Sequence, residues 1–264
     1  MTKAIFFDID GTLLSFTSHE MSPATLNALR ILRTRGIKLF LATGRHKSMI
    51  RPVLDLFSFD GCITLNGQFC FCGDTVLRNI PLDAKDVEYL AEVTRKGVFP
   101  CLFLEEEHTY VNMVSPKCDV FPQQLSIPLP PAEDPIRAKE HKLYQVVAFL
   151  SKEEEHLLTE HTQHLTPMRW HPDFIDVIAS GGGKDHGMDV LLDHFGLSLE
   201  ETMAFGDGEN DLPMLRHAAV GVAMGNANQL VKAEADYVTA SVDEDGVVQA
   251  LRHFGLLQDT PKYC

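Results

Sequence analysis

An apolar run near the start of the chain ends on two acids, and this feature most constrains the fold. Residues 4–7 read Ala-Ile-Phe-Phe, and Asp8 and Asp10 follow just before Gly11. The run predicts a buried strand. Burying carboxylates at the end of such a strand costs free energy unless they accept hydrogen bonds, bind a metal ion or take part in catalysis. Because open α/β sheets bind ligands at the carboxyl ends of their strands, we expect both acids to face a crevice there, although a plain Asp-Gly turn would give the same local pattern.

Three later segments also place polar groups directly after an apolar run or a flexible loop. Residues 39–42 precede Thr43 and Gly44, three glycines precede Lys184, and residues 203–206 precede Asp207. Parallel strands bring their carboxyl ends to one edge of a sheet. The sequence therefore predicts a site built from segments far apart in the chain.

The order strand–DxD, strand–T, loop–K and strand–GDxxND resembles the four motifs of the haloacid dehalogenase superfamily of phosphatases. Residues 223–227 (Ala-Met-Gly-Asn-Ala) and 243–247 (Asp-Glu-Asp-Gly-Val) are similar to the branch often called Cof-type, which carries a large cap. The resemblance covers both ends of the chain densely and the middle hardly at all. It implies a Mg²⁺-dependent hydrolase of a small phosphorylated metabolite, with sugar phosphates first among the substrates. The alternatives are a pyridoxal phosphate or flavin mononucleotide phosphatase, or a sugar phosphomutase.

The chemistry of these residue types supports distinct roles. A carboxylate can attack phosphorus and form an aspartyl-phosphate, which we assign to Asp8, and Asp10 is then the general acid and base. Hard oxygens suit Mg²⁺, so the expected metal ligands are Asp8, Asp207 and the backbone carbonyl of Asp10. The expected phosphate-binding residues are Thr43, Gly44, Lys184 and Asn210. Two further residues, Asp211 and Arg45, are expected beside these groups.

Several of these residues could also have a purely structural role. Thr43 and Asn210 are also suitable as helix N-caps, and an acid at Asp211 is favoured in the first turn of a helix. Arg45 either contacts substrate or joins the two parts of the molecule. Trp170, His171 and Asp173 are candidates for a substrate pocket, although Trp170 suits a hydrophobic core equally well.

The alternation of helical and apolar segments predicts an α/β fold, a Rossmann-like doubly wound parallel sheet with an inserted α+β cap domain. The expected core is discontinuous, residues 1–81 and 182–264, and residues 82–181 form the cap, which sets specificity. Helices are expected over 46–57, with the positive end near the phosphate, and over 152–164. Hinges are expected near 80–82 and 180–183.

The formal net charge of −14 argues against a nucleic-acid partner. No run approaches the roughly 20 apolar residues of a membrane span, and no signal peptide is recognisable, so we expect a cytoplasmic protein without a membrane partner. A phosphomutase would need basic residues in the cap to retain a bisphosphate. Arg137, Lys139 and Lys142 are the basic residues that lie near one another in this region. The sequence does not address the oligomeric state.

Overall fold

The computed structural model describes residues 1–258. In chain order the strands are β1 (Ala4–Phe7), β2 (Lys38–Ala42), β3 (Gly61–Thr64), β4 (Phe69–Cys72), β5 (Thr75–Asn79), β6 (Cys101–Glu105), β7 (Thr109–Val111), β8 (Leu143–Ala148), β9 (Leu165–His171), β10 (Phe174–Ala179), β11 (Thr202–Gly206), β12 (Gly221–Ala223) and β13 (Tyr237–Val238). The α-helices are α1 (Pro23–Thr34), α2 (Arg51–Leu56), α3 (Ala84–Arg95), α4 (Val120–Leu125), α5 (His156–Thr159), α6 (Lys184–Phe195), α7 (Leu212–His217), α8 (Gln229–Glu234) and α9 (Gly246–His253).

The larger sheet contains both ends of the chain. Within residues 1–258 it has eight strands in the order β13-β12-β11-β1-β2-β3-β4-β5. Strands β13 to β3 pair in parallel, and β4 and β5 add an antiparallel hairpin at the edge. Helices α1 and α9 contribute to the core on one face, and α6 and α7 to the core on the other. The sequence-based prediction of a Rossmann-like α/β sheet is confirmed.

Strand β1 lies at the centre of this sheet, between β11 and β2. Its four residues are fully buried, with Phe7 stacked on Phe205 on one face and Phe6 on Phe40 on the other. Because β11, β1 and β2 are parallel, the segments that follow them meet at one edge of the sheet. This register places the motif residues near one another.

The second sheet is antiparallel and lies within the segment between β5 and α6. Its order is β7-β6-β8-β10-β9. Helix α3 packs on one face and α4 on the other, where Leu65, just after β3, and Phe69, the first residue of β4, join the same hydrophobic cluster. The inserted segment therefore has a core of its own and packs on the larger sheet through one face.

Two helix predictions were wrong in extent. Instead of one helix over 46–57, a 3₁₀ turn at Lys47–Met49 is capped by His46, and α2 begins at Arg51 with a proline in its first turn. The expected helix over 152–164 is reduced to α5, and the residues from Leu165 onward pair with β10 as the edge strand β9. Proline at position 167 suits such an edge. Among the described residues, no helix has the length and apolar character needed to cross a membrane.

Candidate active site

A cavity of about 240 Å³ lies at the carboxyl edge of the larger sheet, between it and the second sheet. Eight of the residues predicted for the site line it, namely Asp8, Asp10, Thr43, Gly44, Arg45, Asp207, Asn210 and Asp211. Lys184 is completely buried and reaches the cavity's acids from beneath. The structure thus brings together every residue that the motifs predicted for the site.

Lys184 is the first residue of α6, which the buried side chains of Met188 and Leu191 hold against the sheet. Its Nζ donates hydrogen bonds to Asp8 Oδ1 at 2.6 Å and to Asp211 Oδ1 at 2.5 Å. Burial opposes its charge, but Asp211 and Asp8 together raise the pKa of Lys184 above its usual value. The ammonium is therefore charged and is positioned to neutralise Asp8.

Asp8, Asp207 and Asp211 form a compact carboxylate cluster, with one oxygen of each within 4.8 Å of the others. Burial raises the pKa of Asp8 to about 7 despite Lys184, and Asp211 and Asp10 add to the increase. Burial, Asp8 and Asp211 likewise raise the pKa of Asp207. Three clustered carboxylates against one ammonium are short of positive charge, so the donor set fits a hard divalent cation such as Mg²⁺.

Asp207 is fixed from two sides. Thr12 donates to its Oδ1 at 3.1 Å and Asn226 Nδ2 to its Oδ2 at 3.2 Å. Gly11 passes close by at a φ of +81°, and a Cβ there would lie 2.2 Å from Asp207 Oδ2. Glycine is needed at position 11 for both reasons.

Asp10 does not join this cluster through its side chain. Arg45 Nε donates to Asp10 Oδ2 at 2.7 Å and Arg45 Nη2 to Asp10 Oδ1 at 2.6 Å. The same guanidinium donates to the backbone carbonyls of Met49 at 3.1 Å and Leu125 at 3.4 Å. Because Leu125 ends α4, Arg45 connects Asp10 to the inserted segment, which is the bridging alternative left open by the sequence.

The helix-cap interpretations of Thr43 and Asn210 are wrong. Thr43 Oγ1 accepts a 3.1 Å hydrogen bond from the Arg45 backbone, while His46 caps the turn that follows. Asn210 lies in a 3₁₀ turn before α7 and makes no cap; its Nδ2 donates to Asn66 Oδ1 at 3.0 Å. The α2 N-terminus begins only at position 51, so the expected support of a helix dipole directly after Gly44 is also wrong.

A polar network that the sequence analysis missed joins the two sheets above Gly44. Asn66 Nδ2 donates to Asp176 Oδ2 at 2.7 Å and to Gln145 Oε1 at 3.1 Å. Gln145 Nε2 donates to the Gly44 carbonyl at 3.1 Å, and Trp170 Nε1 to Asp176 Oδ2 at 3.2 Å. Burial raises the pKa of Asp176 to about 7, although the donors on Asn66 and Trp170 oppose this increase. The network includes groups from β8, β9 and β10.

The sequence contained a signal for one of these residues. Asp176 interrupts the apolar run of β10, and an acid in such a run is costly unless it is used. Of the three residues considered for a substrate pocket, Trp170 lines the cavity, whereas His171 and Asp173 are not among the described residues that line it.

The basic residues of the inserted segment lie elsewhere. Arg137 pairs with Glu105 at 2.9 Å, and Lys139 with Glu92 at 3.0 Å. The described residues that line the cavity do not include Arg137, Lys139 or Lys142. The basic cluster that a phosphomutase would need in its cap is therefore not at this site.

Comparisons with known proteins agree with this geometry. The profile of the haloacid dehalogenase-like hydrolase family matches residues 5–251. The putative phosphatase YkrA of Bacillus subtilis is 31% identical over 97% of this chain and 99% of its own length. The pyridoxal phosphate phosphatase YbhA of Escherichia coli is 27% identical over 94% of this chain and 97% of its own length.

A solved structure is also similar throughout. BT4131, a sugar phosphatase of HAD subclass IIB, superposes with a TM-score of 0.92 at 42% identity and covers 97% of this chain and 100% of its own. The family profile and the likeness over nearly the whole chain leave one assignment. The chain belongs to the haloacid dehalogenase-like hydrolase family, as one of its phosphatases.

Proposed function

We propose that the protein is a Mg²⁺-dependent phosphomonoesterase that acts on a small metabolite through an aspartyl-phosphate at Asp8. One observation carries the proposal. Asp8 Oδ1 is neutralised by the buried Lys184, while its Oδ2 accepts no hydrogen bond from any described residue and the side chain borders the cavity. A positioned carboxylate oxygen without a partner is what an attacking nucleophile requires.

The reaction follows from the positions of the two acids. Asp8 attacks phosphorus, the ester bond breaks, and Asp10 gives a proton to the departing alkoxide. Asp10 then accepts a proton from water as the water oxygen attacks the phosphoryl group, which leaves inorganic phosphate and regenerates Asp8. Both Asp10 oxygens accept from the Arg45 guanidinium in this structure, so at least one of these hydrogen bonds must break before Asp10 carries the proton that it gives to the alkoxide.

The carboxylates of Asp8 and Asp207, with the Asp10 carbonyl, would hold the Mg²⁺, and Asp211 lies beside them. When bound, this ion supplies positive charge that shields the attacking carboxylate from the anionic phosphoryl group and stabilises the transition state. Asp211 Oδ2 accepts from the backbone N–H groups of Asp207 and Gly208 at 3.0 and 2.9 Å and thereby shapes the turn that carries Asp207.

Thr43, the backbone of Gly44, Asn210 and Lys184 would bind the phosphoryl oxygens. They approach the cavity from the segments after β2 and β11 and from α6. The donors come from separate elements that pack on one sheet, so the site is formed only in the folded chain.

A sugar phosphate is the substrate class that we favour, because BT4131 is a sugar phosphatase and its likeness extends over the whole chain. Pyridoxal phosphate is the second candidate, because YbhA is a phosphatase of that compound. We further propose that residues 82–181 act as the cap domain that contacts the leaving group, since β8, β9 and β10 supply Gln145, Trp170 and Asp176 to the cavity.

A hydrolysis screen tests the proposal. Purified protein, stripped with a chelator, is offered sugar phosphates, pyridoxal phosphate, flavin mononucleotide and p-nitrophenyl phosphate, with and without added Mg²⁺. We expect phosphate release only with Mg²⁺, and faster release from a sugar phosphate than from the aryl ester. Asp193→Asn, a change on the exposed face of α6, is the control that should retain activity. Equal turnover in excess chelator would contradict the proposal.

A further inference from the structure

No described residue supplies a free positive charge on the side of the cavity formed by the inserted segment. Among the described residues that line the whole cavity, Arg45 and His46 are the side chains capable of carrying one. Arg45 is engaged by both oxygens of Asp10 and by two carbonyls. His46 is buried, which lowers its pKa, and its ring nitrogens contact Ser48 and the Glu105 carbonyl. Burial is the larger effect and favours the neutral form of the ring, although the carbonyl contact opposes it.

The same side carries a buried acceptor instead. Asp176 is 3% exposed, and its Oδ2 accepts from Asn66 and Trp170. Its Oδ1 has no hydrogen-bond partner among the described residues, although the side chain borders the cavity. Gln124, on α4, also borders the cavity, and no described residue is a hydrogen-bond partner of its side chain. A carboxylate oxygen and an amide without partners suit hydroxyl groups of a ligand.

A second anionic group on the substrate would meet opposite conditions. It would be buried beside Asp176, and no described residue that lines the cavity offers a free cation to pair with it. Like charges placed together are strongly disfavoured. A hydroxyl at the same place would donate to Asp176 Oδ1 and complete its hydrogen bonding.

We propose that Asp176 is a specificity-determining residue that accepts a hydroxyl of an uncharged, polyol-like leaving group and excludes substrates with a second anionic group. The inference rests on the proposed phosphatase activity and narrows its substrate class. An enzyme that retains a bisphosphate must bind a second anionic group, which Asp176 would disfavour.

The test compares two linear substrates that differ in one group. Glucitol 6-phosphate ends in an uncharged CH₂OH where 6-phosphogluconate ends in a carboxylate. At about pH 8, with Mg²⁺, we expect the wild type to favour glucitol 6-phosphate by at least about 100-fold in kcat/KM. Asp176→Asn should reduce that ratio at least about tenfold, chiefly by raising kcat/KM for 6-phosphogluconate. Asp173→Asn, on the exposed turn between β9 and β10, should leave the ratio unchanged.

A second variant keeps the test decisive if Asp176→Asn does not fold. Gln124→Arg places a cation on the same side without altering Asp176, and it should raise kcat/KM for 6-phosphogluconate. Equal use of the two substrates by the wild type, or an unchanged ratio in the folded Asp176→Asn and Gln124→Arg proteins, would overturn the inference. If no phosphomonoester is hydrolysed with Mg²⁺, p-nitrophenyl phosphate included, the proposed function itself fails.

Discussion

Asp8→Asn should abolish turnover and, in the absence of metal, make the folded protein more stable. The Asp8 carboxylate is buried next to Asp211 and Asp10, and its pKa is raised from 3.8 to about 7. A carboxyl with a raised pKa stabilises the fold only while it is protonated. Its contribution is full below about pH 4 and is lost as the pH rises through 7. Asparagine cannot ionise and escapes this loss.

The size of the effect follows from the two pKa values. Each pH unit between 3.8 and about 7 corresponds to about 1.36 kcal/mol in the free energy of unfolding. The advantage of the variant over the wild type is therefore expected to grow with pH, from on the order of 1 kcal/mol at pH 5 to a few kcal/mol at pH 8. Lys184 keeps Asp211 as its partner in the variant, so it is not left unpaired.

Urea denaturation at pH 5 and pH 8 in chelator measures this difference directly. Asp193→Asn, on the exposed face of α6, is the matched control and should show no growing advantage. Added Mg²⁺ should stabilise the wild type at pH 8 more than Asp8→Asn, because the ion binds the folded acids. A variant less stable than the wild type at pH 8, or a difference independent of pH, would refute the account of the carboxylate cluster.

Three further outcomes are expected. Asp10→Asn should lower kcat by about 10²–10⁴-fold while KM changes little, measured in steady state with p-nitrophenyl phosphate; a wild-type kcat would remove Asp10 from the chemistry. Asp207→Ala should no longer respond to Mg²⁺ titration, and activation equal to the wild type's would exclude it as a ligand. Asn66→Ala should lower the free energy of unfolding by about 1–3 kcal/mol in urea titrations, because Asp176 and Asn210 lose their partner; an unchanged midpoint would show that the network contributes little.

The parts of the fold that follow local rules were predictable from the sequence. The apolar run of β1 and the acids after it predicted a central strand with a ligand edge, because burial on both faces requires a continuous apolar segment. The positions of Thr43 and Asp207 followed from the same reasoning, since parallel strands share one functional edge. Lys184 precedes a helix instead, and the resemblance to the family's motifs indicated its place in the site.

The elements that depend on tertiary partners were not predictable in the same way. Strand β9 forms from Leu165 onward because it pairs with β10, which lies further along the chain. Asn66 and Gln145 are unremarkable in sequence, and their role depends on two sheets meeting above Gly44. Asp176 was visible as an acid in an apolar strand, but nothing nearby in the sequence indicated what it faces.

The most direct test of the account is the detection of phosphate on Asp8. Wild-type protein is mixed with Mg²⁺ and a good substrate, quenched in acid within milliseconds, reduced with borohydride and analysed by peptide mass spectrometry. Borohydride converts an acyl phosphate to an alcohol, so we predict homoserine at position 8. With p-nitrophenyl phosphate, whose leaving group departs without an acid, we predict a larger amount in Asp10→Asn, because hydrolysis of the intermediate is slowed. Turnover with no label at position 8, or label on another side chain, would contradict the central claim.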